Sequence, residues 1–328
     1  MSDIMVSIIC NTYNHEKFIR DALQGFVKQK ADFKYEVLVH DDASTDNTQK
    51  VIREFELHYP DIIKPIYQKE NQRSQGIPYN KVFQLSRAKG KYVALCEGDD
   101  YWIDETKLQN QVEYMEHHPE CSMICHSGYY ADEENNKLPG EFRIFSESKV
   151  VTTNEAILNW ICPTASILYR REMRELSPFP TLTNPPCGDY PLIINLSLMG
   201  ELFYIDKPMC VYRRNSQSLS AEWDKSIEKK KDVICRFINM LNEIDSYTKG
   251  KYQKEIDTMR VKKEYQLILI EGKYSLLKEK RYKMIHKSNR KSYFVSLLEK
   301  HIPGLIVIYR VIKRKMWAIM PHKVIKSL

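Results

Sequence analysis

The sequence predicts an α/β protein: a parallel sheet with a ligand site along its carboxyl edge, followed by a helical extension. Three observations predict it. Short, fully apolar, β-branched runs recur (MVSIIC at 5–10, YEVLVH at 35–40, YVALC at 92–96), which is how strands buried on both faces read. Segments with apolar residues at helical spacing alternate with them. Each run ends in a polar cluster, and in open α/β sheets ligands sit outside the carboxyl ends of the strands.

Taken in order, Met5–Cys10 opens into Asn11-Thr12-Tyr13-Asn14. Phe18, Ala22, Leu23, Phe26 and Val27 then predict a helix over 17–30. The second strand ends in Asp41-Asp42-Ala43-Ser44-Thr45-Asp46-Asn47-Thr48. In that turn Ser44, Thr45 and Asp46 read as caps for a helix carrying Val51, Ile52 and Phe55. A third strand is expected at 62–67, a polar loop at 68–76, a helix at 78–89 and the central strand at 91–96. Residues 121–131 and 150–160 carry mixed signals and are left unordered. A helical face formed by Ile227, Ile234, Phe237, Ile238, Leu241 and Ile244 marks 224–246, and a similar pattern continues through 252–279. The expected domains are therefore 1–220 and a basic, mainly helical extension, 221–328.

Charge separates the same two parts. From Lys251 onward there are 20 Lys and Arg against 6 Asp and Glu, whereas the first 250 residues hold 30 against 37. A basic tail on a neutral-to-acidic body calls for an anionic partner surface. Ile302–Met320 is apolar but interrupted by Arg310, Lys313, Arg314 and Lys315 on one side, which suits a helix lying in a membrane interface or one packed with a solvated basic face. No uncharged apolar run of about 18 residues occurs, so no spanning helix is expected. The N-terminus has no basic region followed by a long apolar segment, so no signal peptide is expected either. Eight cysteines, scattered and without a C-x-x-C pair, read as reduced thiols of a cytosolic protein.

The chemistry concentrates after the central strand, where Glu97, Asp99 and Asp100 fall within four positions beside Tyr101 and Trp102. Carboxylates so close repel one another unless a cation neutralises them, and hard oxygen ligands suit magnesium or manganese. Neither G-x-G-x-x-G nor a Walker-type G-K-[ST] follows the first strand, which disfavours dinucleotide binding and P-loop chemistry.

Five separated motifs carry a resemblance: MVSIICNTYN, EVLVHDDASTDNT, the Lys69-Glu70-Asn71 loop, GKYVALCEGDDYW, and CGDYPL with the later YRRNSQSLS. In this order and spacing they resemble family 2 glycosyltransferases of the GT-A fold, a Rossmann-like sandwich, over residues 4–220. The resemblance implies an inverting, metal-dependent transfer of a sugar from a nucleotide diphosphate, of the kind that builds bacterial surface polysaccharide. It implies that Asp41 holds a uracil base and that Thr12, Asn14, Asn71, Glu97, Asp99 and Arg213 surround the nucleotide sugar. It places the cation, manganese or magnesium, on Asp99 and Asn215. Here Asn215 departs from the histidine of many relatives, which leaves its metal contact open. Asp100 would orient the loop, and Arg214 would pair with phosphate or stay on the surface. Asp189 matches the catalytic base, although the local sequence equally permits a helix-capping carboxylate.

The implied partners are a nucleotide-sugar donor, a saccharide or lipid-linked saccharide acceptor, and an anionic membrane surface met by the tail, at the inner face of the cell membrane. A homo-oligomer is left open. The alternative is a catalytically inactive binding module, for a nucleotide sugar or, through the basic tail, for nucleic acid. A nucleotidyltransferase would want a Gly-rich basic loop after the first strand, and Asn11-Thr12-Tyr13-Asn14 is not one.

Overall fold

The computed structural model describes residues 4–283 apart from 79, 217 and 224, together with 285 and 294. The expected interfacial helix at 302–320 lies outside the described residues. The chain divides into two compact units, one drawn from Met1–Thr181 and Cys187–Glu222, the other from Leu182–Pro186 and Trp223–Leu328.

The first unit is built on a mixed sheet. Strands β1 (Ile4–Thr12) and β2 (Lys34–Asp41) are the first two apolar runs of the sequence, β3 (Ile63–Tyr67) is the expected third strand, and β4 (Tyr92–Leu95) is the run that leads to the acids. Further along come β5 (Tyr101–Trp102), β6 (Cys121–Ala131), β7 (Lys137–Phe142), β8 (Lys149–Val151), β9 (Leu168–Arg170) and β10 (Glu201–Arg213). The order across the sheet is β3-β2-β1-β4-β9-β6-β10-β5, with β7 on β6 and β8 on β10. β1 pairs in parallel with both β2 and β4, so the chain winds outward on one side of β1 and returns on the other. That reversal is a topological switch point, the place where such sheets leave a crevice for ligands.

Helices cover the sheet for the reason their spacing gives. In α1 (Ile19–Val27) the residues Ile19, Ala22, Leu23 and Phe26 form one buried stripe. Gly25 lies in that stripe because a Cβ there would come within 2.8 Å of the Trp102 carbonyl, so only glycine lets α1 approach β5. Helices α2 (Thr48–His58) and α3 (Lys107–His117) bury Val51, Ile52 and Phe55, and Leu108, Val112 and Met115. The short α4 (Thr153–Leu158) opens with a full capping box between Thr152 and Glu155. It is followed by α5 (Arg171–Glu175) and α6 (Asp189–Met199).

The segment expected as a helix at 78–89 is instead a π turn at Asn80–Gln84 followed by a 3₁₀ turn at Leu85–Arg87. Gln84 is fully buried, and its amide donates to the Cys10 and Leu38 carbonyls and to Asn11 Oδ1. Reaching under β1 and β2 in this way binds the segment to the sheet at the cost of regular α-helical geometry.

After α7 (Leu219–Trp223), the second unit holds α8 (Ile227–Tyr247) and α9 (Gln253–Glu271). α8 is capped by Ser226, whose hydroxyl accepts from the Lys229 N–H, and it buries Ile234, Phe237, Leu241 and Ile244 of the predicted face. α9 ends at Gly272 in the left-handed conformation, earlier than the sequence pattern suggested. Among the described residues no helix is long and apolar enough to cross a membrane.

Candidate active site

The site forms where β1, β2 and β4 end. Thr12 closes β1 directly opposite Asp41, which closes β2. Asp41 is fully buried; its Oδ2 accepts from the Ser44 N–H at 3.1 Å and from Gln49 Nε2 at 2.6 Å, while its buried Oδ1 has no donor among the described residues. Asp42 turns the other way. Its carboxylate accepts from the Gln72 and Arg73 N–H groups at 2.7 and 3.1 Å, and its carbonyl accepts from Asn71 Nδ2 at 3.0 Å. Asn71 Oδ1 accepts in turn from the Ser74 N–H, so both ends of this amide shape the 68–76 loop.

Asn14 sits at φ 55, and its Oδ1 accepts from the Thr45 N–H at 2.8 Å while its own N–H donates to Ser44 Oγ. Ser44 and Thr45 therefore tie the loop after β2 to the loop after β1; neither caps α2. Asn47 holds the N-cap position without a side-chain cap bond, and Asp46 before it accepts at Oδ1 from the Thr48 N–H and hydroxyl. Behind the pair lies His15, whose imidazole senses the charges of Asp99, Asp46 and Asp41 and is pulled below its ordinary pKa by burial.

The acidic turn is held from two sides. The Gly98 N–H donates to the Asn11 carbonyl, and a Cβ at Gly98 would meet Thr12 Cβ and Oγ1 at 2.8 Å, so glycine is required for the turn to lie against β1. Asp99 Oδ2 accepts from Asn215 Nδ2 at 2.8 Å, and Asp100 Oδ1 accepts from the Arg213 N–H at 2.8 Å. The repulsion expected from the sequence is visible: burial first, then the charge of Asp99, raises Glu97 to about 7 and lifts Asp100 well above the carboxylate range.

Asp189 is the first residue of α6, with Gly188 at the N-cap position making no side-chain cap. Its Oδ2 accepts from Thr164 Oγ at 3.0 Å and its Oδ1 from the Tyr190 N–H at 2.9 Å. Burial raises its pKa, and these hydrogen bonds partly oppose the rise. The negative charge of Asp189 in turn contributes to the upward shift of Glu97, which brings the two acids into one electrostatic neighbourhood. The bond from Thr164 to Asp189 joins residues 25 positions apart and has no local signature in the sequence.

Arg213 has a different setting from the expected one. It is 1% exposed, and its guanidinium is engaged by Asp21, Asn135 and the Asp99 carbonyl. A group so enclosed holds the acidic turn and does not face a phosphate. Arg214 lies over the Tyr130 ring at 4.1 Å.

For a cation, the donor set offered is the Asp99 carboxylate with the Asn215 amide beside it, in a turn that also carries Glu97 and Asp100. Among the described residues no group of three or more His, Cys, Asp or Glu is arranged to hold a metal unaided. The set fits a hard divalent ion that also takes oxygens from a bound diphosphate, as such ions commonly do.

Comparison with known proteins agrees with this architecture. The family described as glycosyl transferase family 2 matches residues 7–176. A Mycobacterium bovis protein is 35% identical over 218 residues, 65% of this chain, and the match spans only 60% of that relative's length. The Escherichia coli enzyme named UDP-Glc:alpha-D-GlcNAc-diphosphoundecaprenol beta-1,3-glucosyltransferase WfgD is 27% identical over 73% of this chain and 88% of its own. Among solved structures, S. aureus TarS in complex with UDP-GlcNAc superposes with a TM-score of 0.61 at 19% identity, covering 85% of this chain and 78% of that one. A Pyrobaculum calidifontis mannosyltransferase in complex with GDP-Man and Mn²⁺ gives 0.51 at 17%, covering 92% and 82%. The α/β sheet with its crevice is thus the GT-A fold, and the chain belongs to glycosyl transferase family 2.

Proposed function

We propose that this protein transfers a sugar from a uridine diphosphate sugar to an acceptor hydroxyl with inversion, with a divalent cation, in the synthesis of a cell-surface polysaccharide. The observation that carries the reading is the meeting of Asp189 with the acidic turn. Asp189 and Glu97 lie 92 positions apart in the sequence, yet the charge of Asp189 reaches Glu97, and burial raises both carboxyls above their ordinary values.

In this reading Asp41 Oδ1, a buried acceptor with no donor among the described residues, takes the imide N–H of the uracil ring; because the side chain is fully buried, the base enters with a local opening of the neighbouring loops. Thr12 and Asn14 flank the ribose, and Glu97 reaches its hydroxyls or a water beside them. Asp99 and Asn215 would hold the cation, which when bound neutralises charge on the departing diphosphate. Asp189 accepts the proton of the acceptor hydroxyl as its oxygen bonds to the anomeric carbon and the bond to the diphosphate breaks. One such displacement inverts the anomeric centre and needs no covalent enzyme intermediate. Thr164 and the Tyr190 N–H aim the carboxylate.

The UDP-sugar and UDP-glucose named for the S. aureus and E. coli proteins support a uridine donor, and the manganese named for the archaeal one supports the cation. The acceptor proposed is a saccharide or lipid-linked saccharide, met at an anionic membrane surface through the basic tail. A panel of nucleotide sugars incubated with the purified protein and manganese tests the reading: release of UDP from one donor is expected, and turnover confined to a GDP-sugar would remove the uridine assignment.

A further inference from the structure

We infer that Arg213 is a positioning residue which, with Asn135 and Asp21, fixes the acidic turn so that the Asp99 carboxylate points at Asn215. Its Nη1 donates to the Asp99 carbonyl at 2.6 Å, Nη2 to Asp21 Oδ2 at 2.6 Å, and Nε and Nη2 both donate to Asn135 Oδ1, at 3.1 and 2.5 Å. Phe18 and Tyr101 lie against the guanidinium carbon at 4.9 and 4.8 Å. The backbone of the same residue supplies the N–H that binds Asp100 Oδ1.

Four segments distant in sequence meet on this one side chain: α1, the turn between β6 and β7, the acidic turn, and the end of β10. Asn135 is held at φ 64, a backbone conformation that asparagine tolerates better than most residues, and its side-chain Oδ1 accepts from the arginine. Two residues on, Asn215 grips the Asp99 carboxylate. The end of β10 therefore holds Asp99 twice, through the main chain by Arg213 and through the side chain by Asn215. A lysine would keep the charge but cannot reach Asp21, Asn135 and the Asp99 carbonyl at once, because only the planar fork addresses several acceptors in fixed directions.

The inference rests on the proposed role of Asp99 only for its consequence in binding, and two measurements on the full-length chain keep the questions apart. The variants are Arg213→Lys and Asn135→Ala, the second leaving the buried charge with its Asp21 partner in case the first fails to fold. Hydrogen–deuterium exchange without ligand is expected to quicken about tenfold or more over residues 97–102 in each variant, with β2 unchanged. Calorimetry of UDP is expected to show metal-free affinity kept within about twofold while the gain on adding manganese falls about tenfold or more. Unchanged exchange over 97–102 in both variants would overturn the inference. So would an equal loss of UDP affinity with and without manganese in Arg213→Lys, since that marks direct contact with the nucleotide. If wild-type UDP binding ignores manganese, the metal reading of the site falls, and the exchange result alone decides the clamp.

Discussion

Asp189 carries the most specific expectation at the scale of single residues. Because Gly188, and not Asp189, occupies the N-cap position, Asp189→Asn removes a proton acceptor with little effect on the start of α6. The variant is expected to keep its circular dichroism spectrum and its UDP affinity and to lose transfer by about a hundredfold or more. Near-normal transfer would reduce Asp189 to a helix-end carboxylate. Asp41→Asn tests the base contact: it keeps the side-chain volume but can set an N–H where the imide N–H must donate. UDP binding is expected to weaken by about 1–3 kcal/mol by calorimetry, the range for a hydrogen bond to a charged group.

Two elements make predictions of their own. The acidic turn lies against β1 only because residue 98 has no side chain, the nearest atoms to an added Cβ being Thr12 Cβ and Oγ1. Gly98→Ala is expected to cost about 1–3 kcal/mol in urea denaturation and to weaken nucleotide binding with it, because Thr12 is displaced. The second element is α3, which carries Lys107 into the core with its ammonium 3.9 Å from the Trp102 ring and hydrogen-bonded to Gln111 Oε1. Burial drives this lysine down to about 7. Its folded-state pKa thus lies below the unfolded value of about 10.4. Between these values the unfolded chain binds a proton that the folded chain does not, so stability rises with pH across the window and the burial penalty is full below about pH 7. Wild type is expected to gain stability from pH 6.5 to 9.5 relative to Lys107→Met. Parallel stability curves would show that the ring and Gln111 keep the ammonium charged throughout.

The whole molecule joins a sugar-transfer fold to a strongly basic tail, and the prediction at this scale concerns where it works. Full-length protein is expected to co-sediment with vesicles containing anionic lipid at low salt, and deletion of residues 300–328 is expected to release it. Four basic residues between 310 and 315 meeting head groups at ~1 kcal/mol each suffice for measurable retention. Full-length protein that ignores such vesicles would remove the membrane reading of the tail.

Much of this architecture was legible beforehand because its determinants are local. Periodicity and β-branched composition placed β1 to β4, α1, α2 and α8, since burying one face or both dictates the pattern within a single segment. The acids at 97–100 and at 41–42 were legible because each follows its strand immediately. The course of 78–89 was not: its geometry answers to Gln84 bonding the carbonyls of two distant strands. The partners of Arg213 were equally hidden, since Asp21 and Asn135 lie 192 and 78 positions away and neither stands in a recognisable pattern. By itself the sequence determined which residue types stand at the ends of the strands, and so the class of chemistry. Only the tertiary structure decided which of them meet, which arginine is buried as a clamp, and which hydroxyl aims Asp189, because hydrogen-bond partners across a crossover are chosen by the packing of whole elements and leave no periodic trace in the chain.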